Sequence, residues 1–287
     1  MTEILSYINS CEKEFRESVN SCADEILKNK NIKYTALSGP TCSGKTTTAK
    51  ILTEKLKDHG LKVKTVSIDD FFFNREDLIN EAQRNGTPPD MDSVKAIDIE
   101  ALRSFVLALE NGERAYLPHY DFVSGMRDGY ERIEGNEFSL YIFEGIQAFY
   151  PEVLSLFKRD EIILLYISVM AEYKEGTCTL SPTEQRLMRR IIRDKKFRDT
   201  SAEKTLKHWD EVVKNERLHI DPFKDKADIK IDSTMPYGLG VMKKELLEVL
   251  SEVEGRTAEK YVQMLKDING IDEKHVPKDS VLREFIG

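Results

Sequence analysis

The sequence lacks any apolar run close to the ~18 residues that a membrane-spanning helix needs. Its first residues also lack the basic stretch and the apolar block of a secretory signal. Cysteine is scarce, and the four cysteines are scattered without the spacing of a metal site. Together these absences predict a cytoplasmic protein whose thiols are reduced.

Positive charge is also in short supply. The 51 Asp and Glu residues outnumber the 43 Lys and Arg residues, which gives a formal net charge of −8. Because an acidic chain is repelled by other polyanions, we expect neither nucleic acid nor a membrane as the main partner. Hydrophobic residues, in contrast, make up 40% of the 287 residues, which predicts a globular protein with a substantial core.

The first part of the chain alternates between helical and strand patterns. Residues 3–29 place apolar side chains three and four positions apart, which predicts a helix packed on the domain, with a partner-binding helix as the alternative. Residues 32–38 have the pattern of a strand that enters a glycine, and residues 45–57 that of a helix. Residues 63–68 then form the next strand. This order predicts a βαβ unit, and therefore the α/β class with a parallel sheet.

Further strands and helices follow. The short, almost entirely apolar runs at residues 140–143 and 162–167 are typical of strands buried on both faces. Residues 114–140 are rich in turn residues and aromatics, which predicts a β-hairpin. Charged helices are expected over residues 184–216.

A phosphate-binding loop is the strongest motif of the sequence. Residues 39–46, GPTCSGKT, match the pattern G-x-x-x-x-G-K-S/T between a predicted strand and a predicted helix. Gly39 and Gly44 let backbone N–H groups point at phosphate oxygens, and the helix adds its positive end. Lys45 is placed to reach the β- and γ-phosphates, and the Thr46 hydroxyl to ligate Mg²⁺. The expected nucleotide-binding residues are Gly39, Thr41, Cys42, Ser43, Gly44, Lys45, Thr46 and Thr47.

Two carboxylates point to a kinase among the classes that use such a loop. The base-reading N-K-x-D pattern of GTPases does not occur after the loop. Asp69 follows the second strand at the sheet edge that faces the ligand, and it is the candidate base for an acceptor hydroxyl. Asp70 is expected to cap the following turn. Glu144 ends a buried strand at the same edge and can hold Mg²⁺ through its water shell.

Residues 185–194 form a basic patch in this acidic chain. Its arginines lie three and four positions apart and so share one helical face: Arg186, Arg189, Arg190 and Arg193. Guanidinium groups bind phosphate oxygens bidentately, so this face is suited to clamp a transferring phosphate. The alternative is a solvated face that pairs with Glu184 and Asp194.

Taken together, these motifs resemble the uridine/cytidine kinase branch of the phosphoribulokinase/uridine kinase family. The resemblance runs from about residue 35 to residue 231 and includes SIDDFF at 67–72, PHYDF at 118–122 and FEGI at 143–146. Residues 279–287 further resemble a bacterial subgroup of uridine kinase-like proteins. The resemblance implies a P-loop NTPase fold: a parallel five-stranded sheet flanked by helices, with a β-hairpin over the acceptor and a helical lid that carries arginines.

The patterns along the chain, together with the resemblance, predict an organisation of the chain. Residues 31–250 would form the P-loop kinase domain, and residues 1–30 an N-terminal amphipathic helix packed on it. Residues 251–287 would form a C-terminal helical tail whose role the sequence leaves open. A homo-oligomer is compatible with the family.

Roles for individual residues follow from the same resemblance. With ATP and Mg²⁺ as cofactors, Asp69 would be the base for a nucleoside 5′-hydroxyl, and Lys45, Arg189 and Arg193 would act at the phosphates. Asp92 would hold the ribose hydroxyls, with the N-cap of the following helix as its alternative role. The implied acceptor-binding residues are Asp69, Phe72, Asp92, Tyr120, Phe122, Arg127 and Arg186.

Two departures from the family pattern bear on the acceptor. Gly125 stands where pyrimidine nucleoside kinases carry a histidine that contacts the base, and Phe72 stands where a tyrosine is usual. A site without those hydrogen-bonding groups loses the means to recognise one particular base. A same-fold kinase for a vitamin, a sugar phosphate or another nucleoside is therefore the first alternative. A nucleotide-sensing regulator is the second, although Asp69 and Glu144 argue against it.

Overall fold

The computed structural model describes residues 2–87 and 93–287. Asp92, which the resemblance places at the ribose hydroxyls, lies outside the described residues. The strands are β1 (Tyr34–Ser38), β2 (Val63–Ser67), β3 (Ala115–Asp121), β4 (Met126–Ile133), β5 (Leu140–Glu144), β6 (Ile162–Ser168), β7 (Tyr173–Glu175), β8 (Cys178–Leu180) and β9 (Ile229–Asp232). The helices are α1 (Thr2–Lys28), α2 (Lys45–Asp58), α3 (Arg75–Arg84), α4 (Ile99–Glu110), α5 (Pro151–Leu154), α6 (Pro182–Phe197), α7 (Ala202–His219), α8 (Gly238–Ser251), α9 (Arg256–Lys266) and α10 (Arg283–Ile286).

The predicted parallel sheet is confirmed. Five strands pair in the order β2-β5-β1-β6-β9, and each neighbouring pair is parallel. The central strands β1 and β5 are buried along their whole length, as their apolar runs predict. Helices cover both faces, and one apolar core lies on each side of the sheet. The loops that follow β1, β2 and β5 consequently meet at one edge.

Helix α1 packs within the chain. Its apolar stripe, which includes Ile8, Phe15 and Val19, is buried in the same core as Leu52 and Leu56 of α2. The predicted apolar stripe of α1 therefore packs within the chain, against α2 beside the sheet. Among the described helices, none combines the length and the apolar composition that crossing a bilayer would require.

The predicted hairpin forms from β3 and β4, which are antiparallel with an irregularity between His119 and Tyr120. Among the described residues, helix α3 and the hairpin of β7 and β8 have no counterpart in the sequence-based expectations. Helix α3 buries Ala82 alone among its ten residues, so it has no apolar stripe that a pattern could detect. The hairpin of β7 and β8 has three residues in each strand, too short for an alternating pattern to stand out.

Candidate active site

The loop between β1 and α2 has the backbone geometry of a phosphate cradle. Cys42 and Gly44 have φ angles of 57° and 92°, in the left-handed region. A Cβ atom on Gly39 would lie 2.0 Å from the carbonyl oxygen of Ile167, so the chain passes too close to β6 for any side chain at this position. The two glycines are thus needed for the turn and for the close approach.

The Lys45 ammonium lies across this loop. Its Nζ donates hydrogen bonds to the carbonyl oxygens of Gly39, at 2.9 Å, and of Pro40, at 3.0 Å. Both partners are neutral, and a phosphate oxygen would offer a stronger, charge-assisted bond. The side chain is therefore held near the place where the resemblance expects the β- and γ-phosphates.

A cavity of about 400 Å³ opens beside the loop. Lys45 and Thr46 line one side of it, and Asp69 and Glu144 line the side formed by the ends of β2 and β5. The register of the sheet explains this arrangement, because Ser67 pairs directly with Glu144. The predicted base and the predicted metal ligand thus share one cavity with the phosphate loop.

The two neighbouring aspartates after β2 have different surroundings. Asp69 lines the cavity, within the short 3₁₀ turn Ile68–Phe71. Asp70, expected to cap that turn, instead accepts a hydrogen bond at 3.1 Å from the backbone N–H of Tyr120 in the hairpin. Burial raises the pKa of the Asp70 carboxyl. Asp70 therefore anchors the hairpin, and Asp69 is the one of the two carboxylates that lines the cavity.

Glu144 is buried in a negative environment. Burial, reinforced by Asp69, raises its pKa to about 7, although Lys45 acts in the opposite direction. A divalent cation would relieve this repulsion, and carboxylate and hydroxyl oxygens are the ligands that Mg²⁺ prefers. Gln147 adds an amide oxygen that is buried without a hydrogen-bond partner among the described residues, and its side chain lines the same cavity. This donor set fits Mg²⁺, with Thr46 and Glu144 as the residues placed to hold it.

Arg186 and Arg189 lie against the phosphate loop. Arg186 binds Glu216 through two bonds of 2.6 and 2.7 Å and donates to the carbonyl of Thr41. Glu216 in turn accepts from the Thr41 N–H at 3.1 Å. Arg189 donates to the carbonyl of Cys42, at 3.4 Å, and burial lowers its pKa to about 10. Arg186 is thus a brace of the loop: Glu216 binds its guanidinium, and Arg186 is not among the residues that line this cavity, where the resemblance expects it to contact the acceptor.

Three other arginines line the cavity: Arg190, Arg193 and Arg198. Asp194 is the buried carboxylate beside them, and it accepts bonds from Arg190 at 3.1 Å and from Arg193 at 2.6 Å. Burial and the repulsion from Arg193 lower the pKa of Arg198. One carboxylate does not balance three guanidinium groups, so this wall of the cavity is suited to an anion. Sequence reasoning missed Arg198 because it lies at the C-cap of α6, beyond the helical face that the pattern defines.

The aromatic residues Phe72 and Phe122 line the cavity, and Tyr120 packs against both. Tyr120 contacts Phe72 and Phe122 edge to face, with ring centroids 5.6 and 5.3 Å apart. The guanidinium of Arg198 lies 5.5 Å from the Phe122 ring centroid, which joins the helical lid to the hairpin across the cavity. Phe72, Tyr120 and Phe122 therefore form one aromatic cluster, and their binding of an acceptor stays a prediction.

Arg127 has a different environment from the one expected. Its guanidinium donates to the carbonyls of Phe71, at 2.7 Å, and Phe72, at 2.9 Å, and pairs with Asp98 at 3.1 Å. These partners bind the guanidinium within the fold. The structure therefore gives Arg127 a role in fixing the turn after β2 and does not place it against an acceptor.

The space beside Gly125 is filled by an arginine from another element. Gly125 has a φ of 72°, and a Cβ atom there would lie 2.9 Å from the side chain of Arg75. Arg75 also donates to the carbonyl of Phe122 at 2.6 Å. Where the resemblance expects a base-contacting histidine, this chain thus has the guanidinium of Arg75. No local pattern marks Arg75, because the contact joins positions 50 residues apart in the hairpin and in α3.

Replacing Glu144 with glutamine is expected to stabilise the nucleotide-free protein at about pH 8. The folded-state pKa of about 7 exceeds the value of about 4.3 in an unfolded chain. The folded state therefore binds the proton more tightly, and its stability falls as the pH rises from about 4.5 to 7. Glutamine avoids this loss, so the free energy of unfolding should increase by ~2–3 kcal/mol at about pH 8 and change little at about pH 4.

Urea unfolding at both pH values measures the effect. The exposed Glu248 provides a matched control, because Glu248→Gln removes a charge that is already solvated. If Glu144→Gln and the control have the same unfolding free energy at the higher pH, the Glu144 carboxyl is not held in a destabilising environment.

Comparisons with known proteins agree on the family of this chain. The model of the phosphoribulokinase/uridine kinase family matches residues 35–237, well over half of the chain. A uridine kinase from Mycoplasma genitalium is 27% identical over 197 residues, which cover 68% of this chain and 82% of that protein. A uridine kinase from Halobacterium salinarum is 26% identical over 238 residues, or 83% of this chain and 93% of that protein.

Solved structures show the same fold. The crystal structure of YFH7 from Saccharomyces cerevisiae superimposes with a TM-score of 0.52 over 75% of this chain and 98% of that chain. Its sequence identity is 11%, so this likeness concerns the fold alone.

Proposed function

The chain belongs to the phosphoribulokinase/uridine kinase family, and from this premise we propose that it transfers the γ-phosphoryl group of ATP to a small-molecule hydroxyl, with a nucleoside 5′-hydroxyl as the leading acceptor. One observation carries the proposal. Asp69 and Glu144 line the same cavity as Lys45 and Thr46 of the phosphate loop. A phosphoryl-transfer site needs this combination of a nucleotide cradle, oxygen ligands for Mg²⁺ and a base directed at the acceptor.

In the proposed reaction, Asp69 orients the acceptor hydroxyl and takes its proton as the oxygen attacks in line. Lys45 and Arg193 neutralise the charge that spreads over the transferring group, and Arg189 supports them from behind the loop. Bound Mg²⁺, for which Thr46 and Glu144 are the placed ligands, would offset further phosphate charge. The protein contributes position and electrostatics, since the reaction needs little covalent chemistry from it.

A kinase for another hydroxyl compound is the second candidate, and Arg75 is the observation that favours it. Its guanidinium fills the space beside Gly125 where nucleoside kinases of the family carry a histidine. Arginine binds planar anionic groups better than it reads a neutral base. A vitamin, a sugar phosphate or a different nucleoside would each be a chemically reasonable acceptor.

A screen of acceptors separates these candidates. The purified chain is incubated with MgATP and with purine nucleosides, pyrimidine nucleosides, a vitamin alcohol or a sugar phosphate, and ADP release is measured. We expect a nucleoside to raise ADP release well above the acceptor-free rate. Stimulation by another class alone would assign the second candidate, and no stimulation by any acceptor would favour a nucleotide-sensing role. Asp69→Asn serves as the control for stimulation that depends on the base.

A further inference from the structure

We propose that Glu284, in the C-terminal segment 280–287, is a further residue of the nucleotide site and that its carboxylate holds the phosphate-binding donors of Thr47 until a nucleotide displaces it. The proposal rests on the ATP-binding part of the proposed function. It does not depend on which acceptor is used.

The contact itself is well formed. One carboxylate oxygen of Glu284 accepts a hydrogen bond from the backbone N–H of Thr47, at 3.2 Å, and another from its hydroxyl, at 3.1 Å. Thr47 lies in the first turn of α2, where N–H groups have no partner within the helix. The N-cap Gly44 supplies no side-chain bond, so Glu284 caps a helix that begins 239 residues earlier in the chain.

The same donors are those that a phosphate needs. A helix N-terminus at the end of a phosphate loop binds anions through its free N–H groups and its positive dipole. Glu284 also lines the cavity that contains Lys45 and Thr46. A carboxylate and a phosphate cannot share two donors at this distance, because both are anionic and the cavity wall is partly dehydrated. Binding of the nucleotide at Thr47 therefore requires the Glu284 side chain to leave.

The rest of the segment is fixed in place, so only the side chain has to move. Val281 packs on the loop so closely that a Cβ atom on Gly44 would lie 2.2 Å from it. The Phe285 ring lies 5.1 Å below the Arg189 guanidinium, and Lys196 donates to the carbonyl of Ile286 at 2.7 Å. The segment forms a wall of the nucleotide site, and Glu284 can rotate on that wall.

Neighbouring charges act on Glu284 in both directions. Glu284 adds to the negative field that raises the pKa of Glu144, which lies in the same cavity. A nucleotide that carries Mg²⁺ brings its own cation to these carboxylates, whereas Glu284 on Thr47 brings none. Departure of Glu284 from the helix end relieves its repulsion with Glu144, and Arg189 and Arg193, which now attract Glu284, become available to the incoming phosphates.

The test measures nucleotide affinity and stability separately. We expect Glu284→Gln and Glu284→Ala to bind a non-hydrolysable MgATP analogue about two- to thirtyfold more tightly than the wild type, which corresponds to one helix-capping interaction. Glu284→Ala should at the same time lower the midpoint of thermal unfolding without nucleotide, because the cap is lost. A purely structural residue would weaken both properties when it is replaced, so the opposite signs distinguish the two roles.

A matched control comes from the same part of the chain. Glu273 pairs with Arg283 at 3.0 Å and is exposed, so Glu273→Gln should leave nucleotide affinity unchanged. Equal or weaker binding by both Glu284 variants, with a wild type that binds, would overturn this inference and leave the proposed function standing. Failure of the wild type and of all variants to bind MgATP would overturn the proposed function as well.

Discussion

Asp69→Asn is expected to lower kcat by roughly 10²–10⁴ while leaving the affinity for MgATP close to that of the wild type. Asparagine keeps the size of the side chain but cannot take the proton of an attacking hydroxyl. Asp69 lines the cavity from the end of β2 and is not part of the loop that is expected to bind the phosphates. Steady-state turnover with the best acceptor, together with a binding measurement for the ATP analogue, separates the two effects.

Asp70→Asn is the matched control for this experiment. The neighbouring carboxylate accepts a bond from the Tyr120 N–H, and an asparagine oxygen can still accept it. Turnover of the control should stay within a few-fold of the wild type. If Asp69→Asn also turned over at a near-normal rate, the base would have to be another group and the proposed mechanism would fail.

Lys45→Met should lower kcat/KM by about 10²–10³ with every acceptor that the enzyme uses. Methionine fills nearly the same volume but removes the charge that Lys45 places at the loop carbonyls of Gly39 and Pro40. Because the phosphates are common to all reactions of the enzyme, the loss should not depend on the acceptor. Kinetics with two different acceptors would measure this independence.

The exposed Lys50, on the following turn of α2, provides the control. Lys50→Met removes the same charge from the same helix without touching the loop, and it should have little effect. A loss in Lys45→Met that appeared with one acceptor and not with another would mean that the loop does not hold the transferred phosphate.

Local patterns in the sequence predict the sheet and the cradle well. The strands β5 and β6 follow directly from two short apolar runs, and each observed boundary lies within about two residues of the expected one. The phosphate loop lies between β1 and α2, as its motif requires. The strands and the loop are determined by residues close together in the chain, so one amino-acid sequence is enough to predict them.

Whether the position of a site residue could be predicted depends on how far away in the sequence its contact partners are. The sequence places Asp69 and Glu144 at one sheet edge, because parallel strands bring their carboxyl ends together. It could not place Arg186, whose orientation depends on Glu216 in the next helix. Nor could it find Arg75 or Arg198, since each acts through a contact with the hairpin near Phe122. Roles at the site stay predictions until the variants are measured.

The contact between Thr47 and Glu284 spans 237 residues of sequence. At a synthesis rate of about 5–20 residues per second, the ribosome makes the second partner roughly 10–50 s after the first. During that interval the start of α2 is without its distant cap and Gly44 without the cover of Val281. A nascent chain can pair β1, β2, β5 and β6 first, but β9 and then this wall of the nucleotide pocket follow as late events of biosynthesis.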